Sequence, residues 1–404
     1  MSHNHAIADP PAAPLLPARS IYVHFPWCRH RCAYCDFATT AAKLIPRERY
    51  LDAVREDLAR RAPMLATVET IFFGGGTPSL WGAAAIGGLL EDIAATVGIA
   101  NDAEITLEAN PGASGPAELS ALAGAGINRL SIGVQALDDD RLRLLDRIHD
   151  AGHARMAIAE VGRLMASGAL RSASADLLLG GPGQTMAHLR DELSELLDAG
   201  LPHLSTYTLT VEAGTPLAYQ VAAGRAAAPD EGIQTEMLLA LPELVAPWGL
   251  GRYEVSNLAR PGHECRHNLA CWRGEPYVAL GAAGHGFVRR SDGGEPVGWR
   301  WANVADSGAY LRAMEEDTDG VQWREPISAA MHLDERVLTG LRLAEGLDLD
   351  RLRADLPAPL CDDLLARIAA AIAAGAPLVH EAGRLRLGPD GLRRLDGLIV
   401  DLLA

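Results

Sequence analysis

The chain has 404 residues, of which 49% are apolar and 5% aromatic, enough for roughly two or three globular domains with a large buried core. This composition excludes a wholly disordered chain and a fibrous repeat. Aspartate and glutamate outnumber lysine and arginine by 52 to 36, so the formal net charge is −16. That balance argues against nucleic-acid binding, which needs a basic face, and the apolar runs are shorter than the ~20 residues that span a bilayer.

The first segment, residues 1–19, is rich in Ala, Pro and His and lacks the apolar stretch of a secretory signal. We interpret it as a disordered leader. The six cysteines do not resemble a secreted disulfide framework, because Cys28, Cys32 and Cys35 fall within eight residues. In a reducing compartment, crowded thiols are typical of metal ligands or redox groups, so the sequence predicts a cytoplasmic protein.

Short β-rich runs then alternate with helical segments up to about residue 210. Between the first two runs, Tyr50, Val54 and Leu58 recur at helical spacing. Successive strand-plus-helix units predict an α/β domain with a parallel sheet, open or curled into a barrel, and with helices outside. Functional sites in such sheets lie at the carboxyl ends of the strands. The six predicted strands are residues 21–25, 70–73, 104–108, 129–134, 175–179 and 203–208.

The pattern loosens in a middle region that reaches about residue 323. From residue 325, helices are followed by a two-stranded pattern and a last helix, which predicts a small, mainly helical, winged-helix-like domain. This segment carries 9 arginines against 13 acidic residues. Its charge does not favour DNA binding, so we expect it to pack against the rest of the chain or to dock a partner.

The most informative motif is Cys28-x3-Cys32-x2-Cys35, which follows the first predicted strand. Three thiolates on a short loop can surround one face of an iron–sulfur cubane and leave one iron open to a small molecule. A zinc site needs four ligands, and neither His24 nor His30 completes a standard zinc knuckle. Zinc is therefore the weaker alternative.

Other polar groups follow the next strands. The glycine-rich turn at residues 74–79 follows the second strand and lets backbone N–H groups approach a ligand, although glycine triplets are often only tight turns. Glu108 ends the third strand, Gln135 ends the fourth with Arg147 beyond it, and Asp176 lies on the fifth. Buried charges need partners, which either a bound ligand or an internal salt-bridge network would supply. Both interpretations remain open at this point.

A second group combines an imidazole, two thiols and an indole, at Cys265, His267, Cys271 and Trp272. His and Cys are common axial ligands of heme, and Trp packs on a porphyrin face, so His267 is a candidate heme ligand. By spacing alone, a hydrogen-bonded structural histidine is the more frequent outcome. Cys361 is expected only to pack in a core.

The CxxxCxxC loop, with Tyr34 before its third cysteine, resembles the radical S-adenosylmethionine (SAM) superfamily. The resemblance implies a partial (β/α)6 TIM-like barrel in which the three cysteines hold a 4Fe-4S cluster whose fourth iron is chelated by SAM. The chain is similar to the coproporphyrinogen dehydrogenase-like branch, which implies a radical SAM core at residues 20–240, an extension at 241–324 and the winged-helix-like domain at 325–404. By resemblance, the residues that line SAM are Tyr22, Tyr34, Phe37, Gly75, Gly76, Thr77, Glu108, Gln135, Arg147 and Asp176.

Within that branch the chain resembles the HemW family of heme chaperones. That family carries a His-Asn-x-x-Tyr-Trp motif associated with heme binding, and residues 267–272 match it except that Cys271 replaces the tyrosine. Coproporphyrinogen dehydrogenases continue as CxxxCxxCxC, whereas Phe37 stands here at the place of the fourth cysteine.

The resemblance therefore implies a chaperone with a cluster and exchangeable SAM that binds heme near His267. It would pass the heme to an acceptor protein, with respiratory proteins among the candidates. The alternative is an oxygen-independent coproporphyrinogen III oxidase, in which SAM chemistry removes hydrogen from a porphyrinogen propionate. A third hypothesis, SAM-dependent modification of an unrelated substrate such as tRNA, is disfavoured by the net charge of −16.

Overall fold

The computed structural model of the protein describes residues 14–404. Its strands are Leu15–Leu16 (β1), Ala18–Phe25 (β2), Trp27–Cys28 (β3), Thr40–Ala41 (β4), Leu65–Gly75 (β5), Ile99–Ala109 (β6), Arg129–Gln135 (β7), Ser172–Leu179 (β8), His203–Thr208 (β9), Gly251–Arg252 (β10), Asn257–Ala259 (β11), Tyr277–Leu280 (β12), His285–Arg290 (β13), Gly298–Asn303 (β14), Val321–Ile327 (β15), Leu347–Asp348 (β16), Leu378–Glu381 (β17) and Arg384–Leu387 (β18). Its α-helices are Arg47–Arg61 (α1), Ala83–Thr96 (α2), Pro116–Gly124 (α3), Asp139–Leu144 (α4), Ala151–Ala166 (α5), Met186–Asp198 (α6), Pro216–Ala222 (α7), Glu231–Val245 (α8), Arg266–Trp272 (α9), Ser307–Glu315 (α10), Ala329–Gly340 (α11), Leu349–Asp355 (α12), Ala358–Ala373 (α13) and Leu395–Leu403 (α14).

The centre of the fold is a parallel sheet in which β2, β5, β6, β7, β8 and β9 pair in that order. All six predicted strands are confirmed, and helices connect each strand to the next, as expected for βαβ units. Through the described residues 14–404 the large sheet is an open path from β10 to β15 and does not close into a ring. The partial barrel expected from the sequence is therefore confirmed.

The two faces of the parallel strands differ in chemistry. One face is apolar, and Ile21, Ile71 and Leu107 on it have no exposed surface. The other face carries small polar side chains, including Ser131, which lies in register with Ser174 of the next strand. Because side chains alternate along a strand, this polar face continues to the carboxyl edge of the sheet and presents polar groups there.

Residues beyond the parallel strands enlarge the same sheet. On one side β12 adds parallel to β2, and β13, β14 and β15 follow antiparallel; on the other side β11 adds antiparallel to β9. The sequence did not reveal these strands. The extension is thus part of the sheet that carries the site.

The chain enters the sheet earlier than the sequence analysis expected. Residues 1–13 of the expected disordered leader lie outside the described residues, but Leu15 and Leu16 pair with Arg290 and Arg289 of β13, and β2 begins at Ala18. The boundary at residue 19 was therefore wrong, because backbone pairing with a strand some 270 residues away orders this short segment.

The C-terminal segment consists of helices α11–α14 and a small sheet in the order β16-β18-β17, which agrees with a mainly helical, winged-helix-like domain. Its core includes Phe287 and Val297 from the extension, and Cys361 packs in it with 1% exposure, as predicted. Among the helices of residues 14–404, none combines the length and apolar character needed to cross a bilayer.

Candidate functional site

A cavity of about 360 Å³ lies at the carboxyl ends of the parallel strands. Loops that follow different strands contribute to its wall, as the sequence predicted for an α/β sheet. The predicted site residues that line it are Cys28, Cys32, Tyr34, Cys35, Phe37, Gly75, Gly76, Thr77, Glu108, Gln135, Arg147 and Asp176.

The cysteine loop is closed by a short parallel pair. Trp27 and Cys28 of β3 pair with β4, and the Cys35 N–H donates to the Cys32 carbonyl at 3.2 Å, so the three thiols are held on one compact turn. All three are free cysteines. Burial raises the pKa of Cys28, and the hydroxyl of Thr77 partly opposes this shift. Among the described residues no three His, Cys, Asp or Glu side chains stand in a ready metal-binding arrangement, but three thiols on one cavity wall are the donor set of a three-thiolate iron–sulfur site.

The glycine-rich turn after β5 fits closely against the cysteine loop. The Gly76 N–H donates to the Phe25 carbonyl at 2.7 Å, and the Thr77 N–H donates to the Trp27 carbonyl at 2.9 Å. A Cβ on Gly76 would lie 2.6 Å from the Trp27 oxygen and 3.1 Å from Cys28 Sγ. Only glycine fits there, so the turn does more than reverse the chain: it fixes the cysteine loop against the sheet.

Two carboxyl groups line the cavity, that of Glu108 from β6 and that of Asp176 from β8. Burial raises the pKa of Glu108 to about 8, and the charge of Asp176 adds to this shift, although the Gly75 N–H donates to Glu108 Oε2 at 3.2 Å. Burial also raises the pKa of Asp176 to about 6, against hydroxyl donation from Ser131 at 2.9 Å. Two carboxyl groups that resist ionisation next to each other form a site for a cationic or hydroxyl-bearing ligand.

Arg147 supplies a buried positive charge to the cavity, whose wall also includes Arg31. Its Nη1 donates to Cys32 Sγ at 3.3 Å and its Nη2 to the Gly133 carbonyl at 2.8 Å, while its buried Nε has no hydrogen-bond partner within the described part of the chain. Gln135 lies beside it with a φ of +66°, a left-handed conformation that L residues rarely adopt. An unsatisfied buried donor and local backbone strain are both typical of a preformed ligand site.

Two predicted residues do not line this cavity. Tyr22 lies on β2, where its Oη is 3.1 Å from His24 Nδ1 and its ring stacks on Phe72 with centroids 6.1 Å apart. His267 lies on α9, is 4% exposed, and has its Nδ1 2.9 Å from Thr70 Oγ1. Since Thr70 stands at the middle of β5, several residues before the glycine turn, His267 lies deeper along the strands than the cysteine loop.

The environment of His267 is apolar on one side and hydrogen-bonded on the other. Its ring centroid is 5.3 Å from that of Phe72 and 6.5 Å from that of Tyr22. Burial lowers the pKa of His267 to about 4, so the imidazole is neutral at neutral pH, the form that binds a metal. As folded, however, the ring is enclosed and does not face solvent.

The end of β9 and the segment after it also line the cavity and were not predicted as site residues. Tyr207 and Thr208 come from the strand, and Thr210 and Glu212 follow it. The rule that placed the other residues at the carboxyl ends of strands could have found this segment, because the sixth strand was predicted correctly.

Six parallel strands, a three-cysteine loop after the first of them and a polar cavity at their carboxyl ends define a radical SAM protein. Residues 22–196 match the Radical SAM superfamily and residues 327–394 match the HemN C-terminal domain. The solved structure of coproporphyrinogen III oxidase (HemN) from Escherichia coli superposes with a TM-score of 0.78 at 18% identity and covers 96% of this chain and 90% of that chain, a likeness of fold.

Sequence relatives show which family within this superfamily the chain belongs to. The heme chaperone HemW of Mycobacterium tuberculosis is 37% identical over 355 residues, which cover 85% of this chain and 88% of that protein. HemW of Escherichia coli is 37% identical over 281 residues, covering 69% and 72%, and the mitochondrial radical S-adenosyl methionine domain-containing protein 1 of Bos taurus is 34% identical over 419 residues, covering 100% and 92%. The chain belongs to the HemW heme chaperone family.

Proposed function

We propose that this protein binds heme and transfers it to an acceptor protein, and that it carries a 4Fe-4S cluster with three cysteine ligands and an exchangeable SAM. The observation that supports heme transfer most strongly is the 37% identity to a heme chaperone across 85% of the chain. We expect the protein to act in the cytoplasm on a heme acceptor such as a respiratory protein, and not on nucleic acid.

The cavity holds protein groups that suit each part of the two cofactors. Cys28, Cys32 and Cys35 would hold the cluster. The unsatisfied Nε of Arg147 suits the methionyl carboxylate of SAM, and the paired carboxyl groups of Glu108 and Asp176 suit its amino group and ribose hydroxyls. When bound, the cluster and SAM together supply one-electron chemistry.

The remaining predicted residues would shape this site. Gly75, Gly76 and Thr77 would bring the backbone close to SAM, while Tyr34, Phe37 and Gln135 contribute walls of the same cavity. Phe37 is 63% exposed at the place where coproporphyrinogen dehydrogenases carry a fourth cysteine, so this chain offers no thiol there. Tyr22 does not line the cavity and would support it indirectly, through its contact with His24.

His267 is the proposed heme ligand. The neutral imidazole is chemically suited to iron, but the enclosed ring requires α9 or its neighbours to move before a heme iron reaches it. Hemin titration of wild type and His267→Ala, followed by absorbance, tests this role. We expect weaker binding and a changed spectrum in the variant, and equal affinity would remove His267 as the principal ligand.

One experiment separates the chaperone from the oxidase. The cluster is reconstituted anaerobically, and hemin-loaded protein is mixed with an apo-form heme protein as acceptor; in parallel, SAM, a reductant and coproporphyrinogen III are supplied. We expect heme to move to the acceptor, and no protoporphyrinogen above the level of a Cys28→Ala control. Stoichiometric protoporphyrinogen from the wild type alone would establish the oxidase instead.

A further inference from the structure

A basic surface lies beside the cysteine loop, although the chain has a net charge of −16. Arg29 and Arg31 stand between the first two cysteines of the loop, Lys43 follows β4, and all three side chains belong to exposed residues. Strand β4 pairs with β3, and the Ala42 N–H donates to the Cys28 carbonyl at 2.9 Å. The short pair therefore holds Lys43 on the same side of the molecule as the two arginines.

These three cations have no carboxylate partner. Within residues 14–404, Arg29 and Lys43 make no side-chain hydrogen bond or ion pair, and the single side-chain hydrogen bond of Arg31 goes to the Phe37 carbonyl at 3.5 Å. A guanidinium has five N–H groups and an ammonium has three. The surface therefore keeps its charge and nearly all of its donors for carboxylates of another molecule.

Few acids oppose these cations. Residues 28–44 contain one acid, Asp36, which forms no ion pair in the part of the chain that the structure describes. Asp146 follows α4 and lies at the loop, where its Oδ2 is 2.8 Å from His30 Nε2. The local charge is thus positive on a protein that is otherwise strongly acidic. A surface of this kind attracts an acidic partner to one place on the molecule.

Two exposed apolar side chains adjoin the cations. Leu44 is 91% exposed, more than any other large apolar side chain among the described residues, and Phe37 is 63% exposed. Apolar side chains surrounded by charged groups are typical of protein–protein interfaces, where the apolar groups form the centre and the charges form the rim. We call Arg29, Arg31, Phe37, Lys43 and Leu44 the loop patch.

The loop patch lies at the opening of the cysteine-loop cavity. Arg31 and Phe37 line that cavity, whereas Arg29, Lys43 and Leu44 lie outside its wall. A protein seated on the patch would therefore stand next to the proposed cluster. Iron–sulfur clusters exchange single electrons, so the partner that gains most from this position is one that carries an electron.

We propose that the loop patch is the docking surface of a small acidic protein that delivers one electron to the cluster. Carboxylates of this carrier pair with Arg29, Arg31 and Lys43, and its apolar surface covers Phe37 and Leu44. The carrier is oxidised by one electron and the cluster is reduced by one electron, and no bond forms or breaks. Electron-transfer complexes have small interfaces, which suits a patch of this size. This inference rests on the proposed function and names a partner for its cluster.

The first test follows reduction of the reconstituted full-length protein by stopped-flow absorbance. Reduced flavodoxin is the acidic carrier, and reduced methyl viologen is a small cationic donor. In Arg29→Gln/Lys43→Gln, whose two residues lie outside the cavity wall, we expect the rate constant with flavodoxin to fall at least about tenfold at low salt, because electrostatic steering is lost. The rate constant with methyl viologen should not fall.

The matched control is Arg190→Gln/Arg394→Gln. It removes the same charge from exposed residues of α6 and of the C-terminal domain, and it should leave both rate constants unchanged. An equal fall with flavodoxin in the control would show that only the net charge matters. That result, or equal flavodoxin rate constants in the wild type and in Arg29→Gln/Lys43→Gln, overturns the inference.

Lys43 permits a second test because it is the only lysine in the chain. A carbodiimide joins an amine to a carboxylate that touches it, so we expect the wild type to form a cross-link from Lys43 to flavodoxin. Lys43→Arg keeps the charge but has no amine to couple, so it should lose the cross-link and keep the rate constant. Cross-linked peptides of the wild type that do not contain Lys43 contradict the docking surface.

The outcomes also separate this inference from the proposed function. If the wild type holds no cluster after reconstitution, the proposed function itself fails. If the cluster forms and flavodoxin reduces Arg29→Gln/Lys43→Gln as fast as the wild type, only the docking surface is wrong. Sedimentation of the wild type, but not of this variant, as a dimer would assign the loop patch to a second copy of the chain and would equally overturn the inference.

Discussion

The carboxyl groups of Glu108 and Asp176 are the most perturbed acids of the cysteine-loop cavity. Each retains a proton to higher pH than usual because each is buried, and in the case of Glu108 also because the other carboxylate is near. At Asp176 burial outweighs the opposing charges of Arg129 and Arg147. Two buried carboxyl groups side by side are suited to the cationic or hydroxyl-bearing ligand proposed for this cavity.

The first prediction concerns the stability of the protein without ligands. The pKa of folded Glu108 is about 8, above its ordinary value of 4.5, so the stabilisation by the protonated carboxyl is complete below about pH 4.5 and is lost as the pH rises through about 8. Glu108→Gln stays neutral at every pH. We expect it to be more stable than wild type by about 1–2 kcal/mol near pH 9, after screening by water in the cavity, and equal to wild type near pH 5.

Urea unfolding at the two pH values measures this difference. Glu212→Gln, which changes another carboxylate on the wall of the same cavity, is the matched control. A stabilisation by Glu108→Gln that did not depend on pH would contradict the explanation. The same variant should bind SAM more weakly, so stability and ligand affinity are expected to change in opposite directions.

The second prediction concerns the close packing of Gly76 against the cysteine loop. A Cβ at this position would meet the Trp27 carbonyl, a backbone atom that cannot move without shifting the cysteine loop. We expect Gly76→Ala to lower stability by about 1–3 kcal/mol, as overpacking does, and to reduce the iron content after anaerobic reconstitution. Gly124→Ala is the control, because a Cβ there has no neighbour within 4 Å; normal iron content in Gly76→Ala would contradict the prediction.

Among the secondary-structure elements, α9 owes its position to a carboxylate from the sheet. Glu104 on β6 accepts the backbone N–H of Arg266 at 3.0 Å and that of His267 at 3.1 Å, so its charge lies at the amino end of α9. A negative charge there stabilises a helix. Glu104 also lies 3.8 Å from the buried guanidinium of Arg129, which it neutralises.

Removing this cap should therefore affect both stability and heme binding. We expect Glu104→Ala to cost about 3–5 kcal/mol of folding free energy, because Arg129 is left buried without its counter-charge. Glu104→Gln keeps an acceptor and should cost less. Urea unfolding measures the cost and hemin titration the effect on α9; if both variants bound hemin as tightly as wild type, the position of α9 would not matter for the ligand.

The sequence predicts a secondary-structure element well when the interactions that form it join residues close together in the chain. The six parallel strands are continuous apolar or alternating runs bounded by turn residues, so their pattern is visible in the chain itself. The strands β12 to β15 depend on long-range pairing, and β12 lies parallel to β2, more than 250 residues earlier. The order of the parallel strands was enough to predict that the cavity residues converge at their carboxyl ends. The inward direction of His267 depends on the Glu104 cap and on Thr70, and no local sequence pattern shows these contacts.

At the scale of the whole molecule, one buried aspartate ties the barrel to its extension. Asp57 on α1 has no exposed surface and accepts hydrogen bonds from the Gly281 N–H at 3.1 Å, Asn303 Nδ2 at 3.0 Å, Tyr310 Oη at 2.9 Å and Arg61 Nε at 3.1 Å. Three of these donors lie more than 220 residues away along the chain. The C-terminal domain is joined in turn to the extension, where Arg289 donates to Asp355 at 3.0 Å.

The last prediction follows from this connection. Asp57→Ala leaves buried Arg61 with only the more distant Asp319 carboxylate, at 3.7 Å, and removes the acceptor of Asn303 and Tyr310, so we expect a loss of about 3–5 kcal/mol of folding free energy. Asp52→Ala is the matched control on the same helix, because Asp52 pairs with Arg55 at the surface, where such pairs contribute about 0–1 kcal/mol. Urea unfolding followed by tryptophan fluorescence checks both, and equal costs for the two variants would contradict the role of Asp57.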